Sequence, residues 1–139
     1  MALRTGDVVH VYVQSLRNPK HKYCVLVCIE PKPLFFLINS EITEYKKTRP
    51  DLMVGQLEID AAGHAFLKYD SWLDCTELHG YPLDQLEAEY SKDQKVAVGR
   101  LSEVLRARVI EIVKRSITLP KRDIARILAA LTPPPGNHG

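Results

Sequence analysis

The first forty residues show two kinds of hydrophobic pattern that β-strands produce. Residues 7–13, DVVHVYV, alternate between valines and the pair His10 and Tyr12, which predicts a strand with one buried face. Residues 22–30, KYCVLVCIE, are apolar on both faces, as expected of a strand in the middle of a sheet. The turn residues EPKP then lead into LFFLINSE at 34–41, so these two strands are predicted to form a hairpin.

The middle of the chain continues the β pattern after one polar interruption. Residues 41–53, EITEYKKTRPDLM, are predicted to form a surface loop. Three further strands are predicted beyond this loop, at 54–60, 64–69 and 71–78. The sequence has no internal repeats, so these strands are expected to belong to one small domain.

The period of the apolar pattern changes to about 3.6 residues in the last third of the chain. Apolar residues recur at three- and four-residue intervals across 102–117, which predicts a helix packed on the sheet. The stripe consists of Leu101, Val104, Leu105, Val109, Ile112 and Val113. Ile110 lies on the opposite side of that helix, and we expect a second helix, 120–131, or a second subunit to cover it. The PPPGNHG segment at 133–139 is expected to be a disordered tail.

Together these elements predict a mainly β, α+β fold, with a small curled antiparallel barrel and appended helices. The chain has 139 residues, which suits one domain with a core of its own. The barrel and its packed helix are expected to occupy 1–119. The helical extension is expected to occupy 120–132.

Composition narrows the function classes only slightly. Lys and Arg total 19 against 17 Asp and Glu, so the whole-chain charge predicts no particular partner. The longest apolar runs are far shorter than the roughly 18–20 residues that span a bilayer, and MALRTGD lacks the apolar core of a signal peptide. We therefore expect a cytoplasmic protein that does not associate with membranes.

The three cysteines predict neither a disulfide nor a metal site. Cys24 and Cys28 lie on one predicted strand, where their Cα atoms would be about 13 Å apart, too far for a disulfide. No second pair of ligands follows at the spacing of a zinc site. All three cysteines, including Cys75, are expected to be reduced and buried, and no metal or cofactor is predicted.

The stretch GHAFLKYDSWLDC at 63–75 contains the residue types of a Ser–His–Asp triad. Strand alternation places Asp74 on the outward face, whereas Ser71 points inward or lies at the beginning of the strand, so the two side chains cannot cooperate. The stretch also lacks a G-x-S-x-G elbow that would expose the serine. We expect instead that Asp70 and Ser71 end a turn by binding backbone amides, and that His64 lies at a hairpin corner.

A second candidate is the basic segment QSLRNPKHKY at 14–23, expected to form the loop of the first hairpin. It holds the densest positive cluster of the β-rich part of the chain, namely Arg17, Lys20, His21 and Lys22. Such a cluster can follow the phosphates of single-stranded RNA, and aromatic rings nearby can stack on unpaired bases. The rings available are those of Tyr12, Tyr23 and Trp72. The alternative interpretation is an ordinary solvated loop, with the aromatic residues in the core.

Five segments occur in the order and at about the separations found in the PemK/MazF family of toxins. They are GDVVHVYV, HKYCVLVC, FLINSE, DSWLDCTEL and VGRLSEVLRARVIEIVKRSITL. The chain resembles this family over roughly residues 6–119. Residues 63–72 resemble a subgroup with GHxF segments still more closely.

The resemblance implies an SH3-like barrel, commonly a homodimer, that acts as the toxin of a type II toxin–antitoxin system. Members of the family cleave single-stranded RNA sequence-specifically and are inhibited by a segment of an antitoxin protein. The partners it implies are therefore single-stranded RNA, an antitoxin and a second copy of the chain. It implies no metal requirement.

The chain departs from the family at positions that carry the family's chemistry. Lys22 stands where toxins have an arginine, which keeps the charge but loses the bidentate fork. Asn39 and Ser40 stand where toxins have a threonine, and DCTE at 74–77 replaces an RCDQ segment. The first carboxylate of DCTE, facing outward, would also repel phosphate. If the chain is a nuclease, its catalytic residues are expected to be Lys22, Asn39, Ser40 and His64.

Three hypotheses follow, and they belong to different classes. The first is a ribonuclease toxin in which Lys22, with Ser40 or Asn39, stabilises charge on the phosphate while His21 or His64 moves the proton. The second is a catalytically degenerate relative that binds nucleic acid or a protein partner. This hypothesis is favoured because the arginine and the aspartate of the family's RCDQ segment are replaced in DCTE at 74–77. The third is a structural or regulatory subunit.

Overall fold

The structure is a computed structural model, and it describes residues 3–133. Its strands are β1 (Asp7–Val13), β2 (Lys20–Cys28), β3 (Leu34–Asn39), β4 (Gln56–Ile59), β5 (Ser71–Gly80) and β6 (Ala97–Arg100). Its helices are α1 (Glu44–Lys47), α2 (Pro50–Met53), α3 (Leu83–Lys92), α4 (Glu103–Lys114) and α5 (Lys121–Leu131), with a 3₁₀ turn at Gln94–Val96.

The strands form one antiparallel sheet in the order β4-β5-β3-β2-β1-β6, curled into a half-barrel. Short connections join β1 to β2 and β2 to β3, and β6 returns to pair with the free edge of β1. This architecture confirms the predicted α+β class, with a small curled antiparallel sheet, a packed C-terminal helix and a second helix beyond it.

The sheet is apolar on both faces, and each face carries its own core. Helices α4 and α5 cover part of one face, which we call the α4–α5 face, with the sheet residues Val8, Val25, Val27, Phe36, Ile38, Leu73 and Cys75. The other face, the α3 face, packs with Leu86 of α3 and carries Val9, Val11, Val13, Cys24, Leu26, Phe35 and Leu37. Because β2 contributes to both cores, the prediction of a central strand within 22–30 is confirmed.

Helix α4 lies within the predicted helix and has the expected cap. The hydroxyl of Ser102 accepts a hydrogen bond from the Leu105 N–H at 3.3 Å. Leu105, Val109 and Val113 are buried as predicted, but Val104 is 65% exposed, so its assignment to the buried stripe is wrong. Val104 is turned by about 100° around the helix axis from Leu105, which directs it to solvent.

Helix α5 packs on α4 and supplies the cover expected for Ile110. Ile110 is half-buried and packs against the core cluster that includes Ile127 and Leu131 of α5. The prediction that this side chain is covered is confirmed, and the cover lies within the same chain. The tail predicted to be disordered lies outside the described residues, apart from Pro133.

Residues 60–70 connect β4 to β5 and contain no strand, so the strand predicted at 64–69 is wrong. The N–H of His64 donates to the carbonyl of Ala61 at 3.2 Å, and the N–H of Leu67 donates to the carbonyl of His64 at 2.9 Å. These bonds close successive turns, which leave no extended backbone for sheet pairing. We call this segment the 60–70 loop.

The polar segment 41–53, predicted to be a loop, contains α1 and α2. Thr43 caps α1 by accepting a hydrogen bond from the N–H of Lys46, and Pro50 begins α2 at a position that needs no N–H donor. A second difference concerns β2, which begins at Lys20. The basic residues expected in the first hairpin loop therefore belong largely to a strand.

All three cysteines are free and buried, as predicted. Burial raises the pKa of Cys24 to about 12, against a smaller opposing effect of Lys22. Burial also raises the pKa of Cys28 and of Cys75. All three are therefore neutral thiols at physiological pH, unsuited to act as nucleophiles.

Residues 3–133 contain no helix that is both long and apolar enough to cross a bilayer. Those residues also do not bring three or more His, Cys, Asp or Glu side chains together in an arrangement that could hold a metal ion.

Candidate nucleic-acid interface

A row of aromatic rings crosses β1 and β2 on the α4–α5 face. The ring centroids are 5.3 Å apart for Tyr12 and His21, 5.4 Å for His21 and His10, and 4.5 Å for His10 and Tyr23. Phe66 of the 60–70 loop extends the row, 5.5 Å from Tyr23. These separations are typical of packed aromatic side chains. We call the five residues the ring row.

Strand alternation and register together produce the ring row. The valines of β1 face the α3 core, so His10 and Tyr12 project to the other face. Antiparallel pairing then sets His10 opposite Tyr23 and Tyr12 opposite His21. Directly opposed residues of two paired strands share a face and interact, which aligns the four rings.

All of the ring row except Tyr12 lines an open cleft of about 390 Å³, which we call the ring cleft. From the sheet and its ends, the cleft is lined by His10, His21, Tyr23, Ser40 and Ser71. From the 60–70 loop, it is lined by Phe66, Lys68 and Tyr69. The segment that was predicted as a strand therefore supplies a large part of this surface.

The charged residues that line the ring cleft are all basic. Three lysines and two histidines line it, and none of its lining residues is an aspartate or glutamate. The lysines are Lys20, Lys22 and Lys68. Four other clefts of the described structure each have at least one carboxylate among their lining residues. The chain as a whole has nearly balanced charge, but around the ring cleft basic residues outnumber acidic ones.

Phe66 and His64 hold the 60–70 loop in place. Phe66 packs so closely on Gly99 of β6 that a Cβ atom at Gly99 would come within 2.8 Å of the ring. His64 is buried, its Nδ1 lies 3.0 Å from the carbonyl oxygen of Asp60, and its ring centroid is 5.9 Å from that of Phe66. Its Nε2 is buried without a hydrogen-bond partner among residues 3–133. His64 therefore supports the loop and is not one of the residues that line the ring cleft.

Two residues at the junction of the 60–70 loop and β5 complete the loop. The carboxylate of Asp70 accepts a hydrogen bond from the N–H of Ala61 at 2.8 Å, as predicted. Ser71 is buried, as its inward position implies, but its hydroxyl donates to the carbonyl of Tyr69 at 2.9 Å, so the predicted bond to an amide is wrong. Asp74 projects to the other face, and this stretch therefore forms no Ser–His–Asp triad.

Lys22 and Asn39 meet on the α3 face. The Lys22 ammonium donates to the Asn39 side-chain oxygen at 2.7 Å. Burial lowers the pKa of Lys22, and the neighbouring charges of Lys20 and Lys46 lower it further. Ser40, the residue after Asn39, lines the ring cleft on the other face, because successive residues of an extended chain point in opposite directions.

The residues proposed for catalysis therefore do not converge on one point. Lys22 and Asn39 form a pair, Ser40 lies across the sheet from Asn39, and His64 is buried within the 60–70 loop. Lys22 also borders the ring cleft, but its ammonium group is bound to Asn39.

The basic residues proposed for RNA binding divide between the two faces of the sheet. Arg17 lies in the loop between β1 and β2 and lines a groove on the α3 face with Asp74. His21 belongs to the ring row on the opposite face. Lys20 and Lys22 alternate with His21 along β2 and pair with Val13 and Val11, so their side chains project to the α3 face, although both residues border the ring cleft.

Asp74 lies on the predicted face but is buried, so the prediction that it faces solvent is wrong. Lys46 of α1 forms an ion pair with its carboxylate, and Gln56 and the N–H of Thr76 each donate to the same carboxylate at 3.0 Å. Burial alone would raise the pKa of Asp74, but the hydrogen bonds from Lys46 and Thr76 hold it below its usual value. Because this charge is compensated inside the fold, the expected repulsion of phosphate has no basis.

Sequence reasoning missed several residues of the ring cleft. They are His10, Phe66, Lys68 and Tyr69. The signal for His10 was present in the alternation of β1, which places it beside Tyr12. The signal for the loop residues was obscured by the apolar run HAFL, which imitates a strand. Trp72, proposed as a stacking residue, alternates to the α3 face with Asp74 and is not part of the cleft lining.

No protein-family model matches this chain, and no curated protein matches it either. The resemblance to the PemK/MazF family therefore stays a prediction.

Proposed function

We propose that this protein binds single-stranded RNA in the ring cleft. The observation that supports the proposal is the lining of the cleft, where three lysines and two histidines stand beside aromatic rings without a carboxylate. Lysine ammonium groups attract phosphates, and aromatic faces stack on unpaired bases with little regard to sequence. A surface that binds single strands needs both properties in the same place.

The exposure of the rings favours a single strand over a duplex. Tyr69 is 68% exposed, whereas Tyr23 and Phe66 are half-buried in the cleft. A base must leave its duplex stack to contact a ring inside a cleft, and unpaired bases do so at little cost. Ser40 and Ser71 add polar atoms near the same rings.

The function implied by the resemblance, an endoribonuclease toxin, is the second candidate. The unengaged histidines of the ring cleft favour it, since RNA cleavage without a metal requires groups that transfer protons. An antitoxin partner and a homodimer belong to this candidate and stay predictions. Growth arrest on expression, relieved by a neighbouring reading frame, would support the antitoxin, and the molar mass in solution would test the homodimer.

We expect Lys68→Ala to weaken binding of an unstructured RNA to a similar extent for different base sequences. The substitution should also reduce the slope of log affinity against log salt by about 0.7, the value for one phosphate contact with a single strand. Fluorescence anisotropy with U-rich and A-rich oligonucleotides at several KCl concentrations measures both quantities. Lys47→Ala is the matched control, because this exposed lysine of α1 lies beside Lys46, which binds Asp74 on the α3 face.

Two results would contradict RNA binding in the ring cleft. One is an affinity that does not change with salt. The other is a loss of affinity in Lys47→Ala that equals the loss in Lys68→Ala. The absence of any RNA binding would favour the hypothesis of a protein partner.

A further inference from the structure

We infer that Ser15 and His79 form a nucleophile and its general base in a second site, which hydrolyses short-chain carboxylic esters. The site is a groove of about 240 Å³ on the α3 face, across the sheet from the ring cleft, and it does not depend on RNA binding. Both residues line the groove, and the Ser15 hydroxyl lies 2.9 Å from Nδ1 of His79. A serine hydroxyl is a weak nucleophile until an adjacent base at this distance takes its proton.

Two distant segments of the chain bring the pair together. Ser15 is an exposed residue of the turn between β1 and β2, and His79 lies 64 positions later on β5. His79 pairs with Phe35 of the α3 core, so it projects to the α3 face, where it is only 6% exposed. Strict alternation would place Asp74 and His79 on opposite faces, but the register of β3 and β5 shifts between Phe35 and Leu37. The groove therefore contains a shielded imidazole beside an accessible hydroxyl.

Glu77 faces the other nitrogen of the imidazole. Its carboxylate lies 4.0 Å from Nε2 of His79, which favours the tautomer with the proton on Nε2 and leaves the lone pair of Nδ1 for the Ser15 hydroxyl. Burial lowers the pKa of His79 below its ordinary value, although the carboxylates of Glu77 and Asp74 oppose this effect. The Lys46 ammonium lowers the same pKa further. The imidazole is therefore neutral at pH 7, as a general base must be.

The lining of the groove suits an ester with a short acyl chain. Leu16 and Leu37 provide apolar surface for the chain. Arg17 and Asn39 line the same groove and can donate to the oxygen anion that forms during acyl transfer. The Asn39 side-chain oxygen accepts a hydrogen bond from Lys22, which leaves its amide nitrogen as the donor.

The reaction passes through an acyl-enzyme. Nδ1 of His79 accepts the Ser15 proton as Oγ forms a bond to the ester carbonyl carbon, and an electron pair of the C=O bond moves onto its oxygen. When this pair returns, the bond to the alkoxy oxygen breaks, and that oxygen takes the proton from His79 and leaves as an alcohol. A water molecule then attacks the acyl carbon and gives a proton to His79, which returns it to Oγ as the acid leaves. One ester and one water thus yield an alcohol and a carboxylic acid, and nothing is oxidised or reduced.

The test treats the full-length protein with 4-nitrophenyl acetate and, separately, with a fluorophosphonate, which phosphonylates activated serines. We expect release of 4-nitrophenol and a mass-spectrometric adduct on Ser15. Ser15→Ala and His79→Gln should each lower the rate of release about 100-fold or more and abolish this adduct. Ser91→Ala, which removes an exposed hydroxyl of α3, is the matched control and should keep both. Because His79 is buried, thermal unfolding verifies that its variant is folded, and Ser15→Ala changes only an exposed side chain.

Glu77 acts as a positioning residue, and the pH profile of hydrolysis tests its role. The wild-type rate should rise with pH as His79 loses its proton, and it should level off by about pH 7 because the pKa of His79 is lowered. Glu77→Gln should move this rise to lower pH, since the carboxylate raises the pKa of His79. Glu103→Gln, at the exposed start of α4, should leave the profile unchanged.

Three results would overturn the second site. The first is the absence of an adduct on Ser15 of the folded protein at an excess of fluorophosphonate. The second is an adduct that forms equally fast in folded His79→Gln. The third is hydrolysis of 4-nitrophenyl acetate that is no faster in the wild type than in Ser15→Ala.

Discussion

Replacing Lys46 with methionine is expected to destabilise the folded protein by about 3–5 kcal/mol, the cost of leaving a buried charge without its partner. Lys46 forms an ion pair with Asp74, which is only 4% exposed. Without the lysine, this carboxylate would remain buried with only neutral donors such as Gln56 and Thr76. Urea denaturation at pH 7 measures the change in the free energy of unfolding.

Two further variants isolate the ion pair as the cause. Lys47→Met alters the neighbouring lysine, whose side chain is 52% exposed, and should change the free energy of unfolding by less than about 0.5 kcal/mol. Combining Lys46→Met with Asp74→Asn should restore most of the lost stability, because asparagine keeps an oxygen for Gln56 and Thr76 without the charge. A Lys46→Met protein as stable as the wild type would contradict this account.

The destabilisation should depend on pH in a defined direction. The pKa of Asp74 is lowered in the folded protein, so the ionised carboxylate stabilises the fold above its unfolded-state pKa of about 4. This contribution is lost as the pH falls below about 4, through the lower pKa of the folded state. The wild type and Lys46→Met should therefore converge in stability as the pH falls below about 4, because a protonated carboxyl no longer needs a cation.

Tyr69→Ala is expected to weaken RNA binding about 5- to 150-fold, which corresponds to the loss of one stacked base. Tyr69 is 68% exposed beside the ring cleft, so its removal leaves the core intact. Phe66→Leu should also weaken binding, since leucine keeps apolar volume against Gly99 but offers no aromatic face. Fluorescence anisotropy with U-rich and A-rich oligonucleotides provides the affinities.

The control for Tyr69 is Tyr45, another exposed tyrosine. Tyr45 is 61% exposed on α1, where the Arg49 guanidinium lies 4.1 Å from its ring centroid. Because Tyr45 is not among the residues that line the ring cleft, Tyr45→Ala should leave the RNA affinity unchanged. If Tyr45→Ala and Tyr69→Ala lower affinity equally, or neither lowers it, the ring cleft is not the RNA-binding surface.

The elements that could be predicted from the sequence are those with a strong local period. The alternation across 7–13 and the apolar run within 22–30 correspond to β1 and β2, and the stripe across 102–117 corresponds to α4. Helix α3 and strand β6 were not predicted, because α3 buries only Leu86 and β6 consists of half-buried and exposed residues. Weak burial leaves a weak period, so tertiary packing rather than local pattern selects such elements.

The candidate site shows the same division between local pattern and long-range contact. Alternation along β1 by itself determined that His10 and Tyr12 share a face opposite the buried valines. Only the register of β1 against β2 decided that these rings meet His21 and Tyr23, because register depends on the turn and on which apolar faces are buried together.

Asp74 and the 60–70 loop depended on tertiary structure for a related reason. The sequence alone placed Asp74 on the face opposite the neighbouring apolar residues, but its partner Lys46 lies 28 positions away on a short helix that local pattern did not predict. HAFL has the composition of a strand, yet His64 and Phe66 are held by contacts with Asp60 and Gly99. A local pattern determines which face a side chain occupies. What covers that face is decided by the free energy of the whole fold, because the covering groups come from distant parts of the chain.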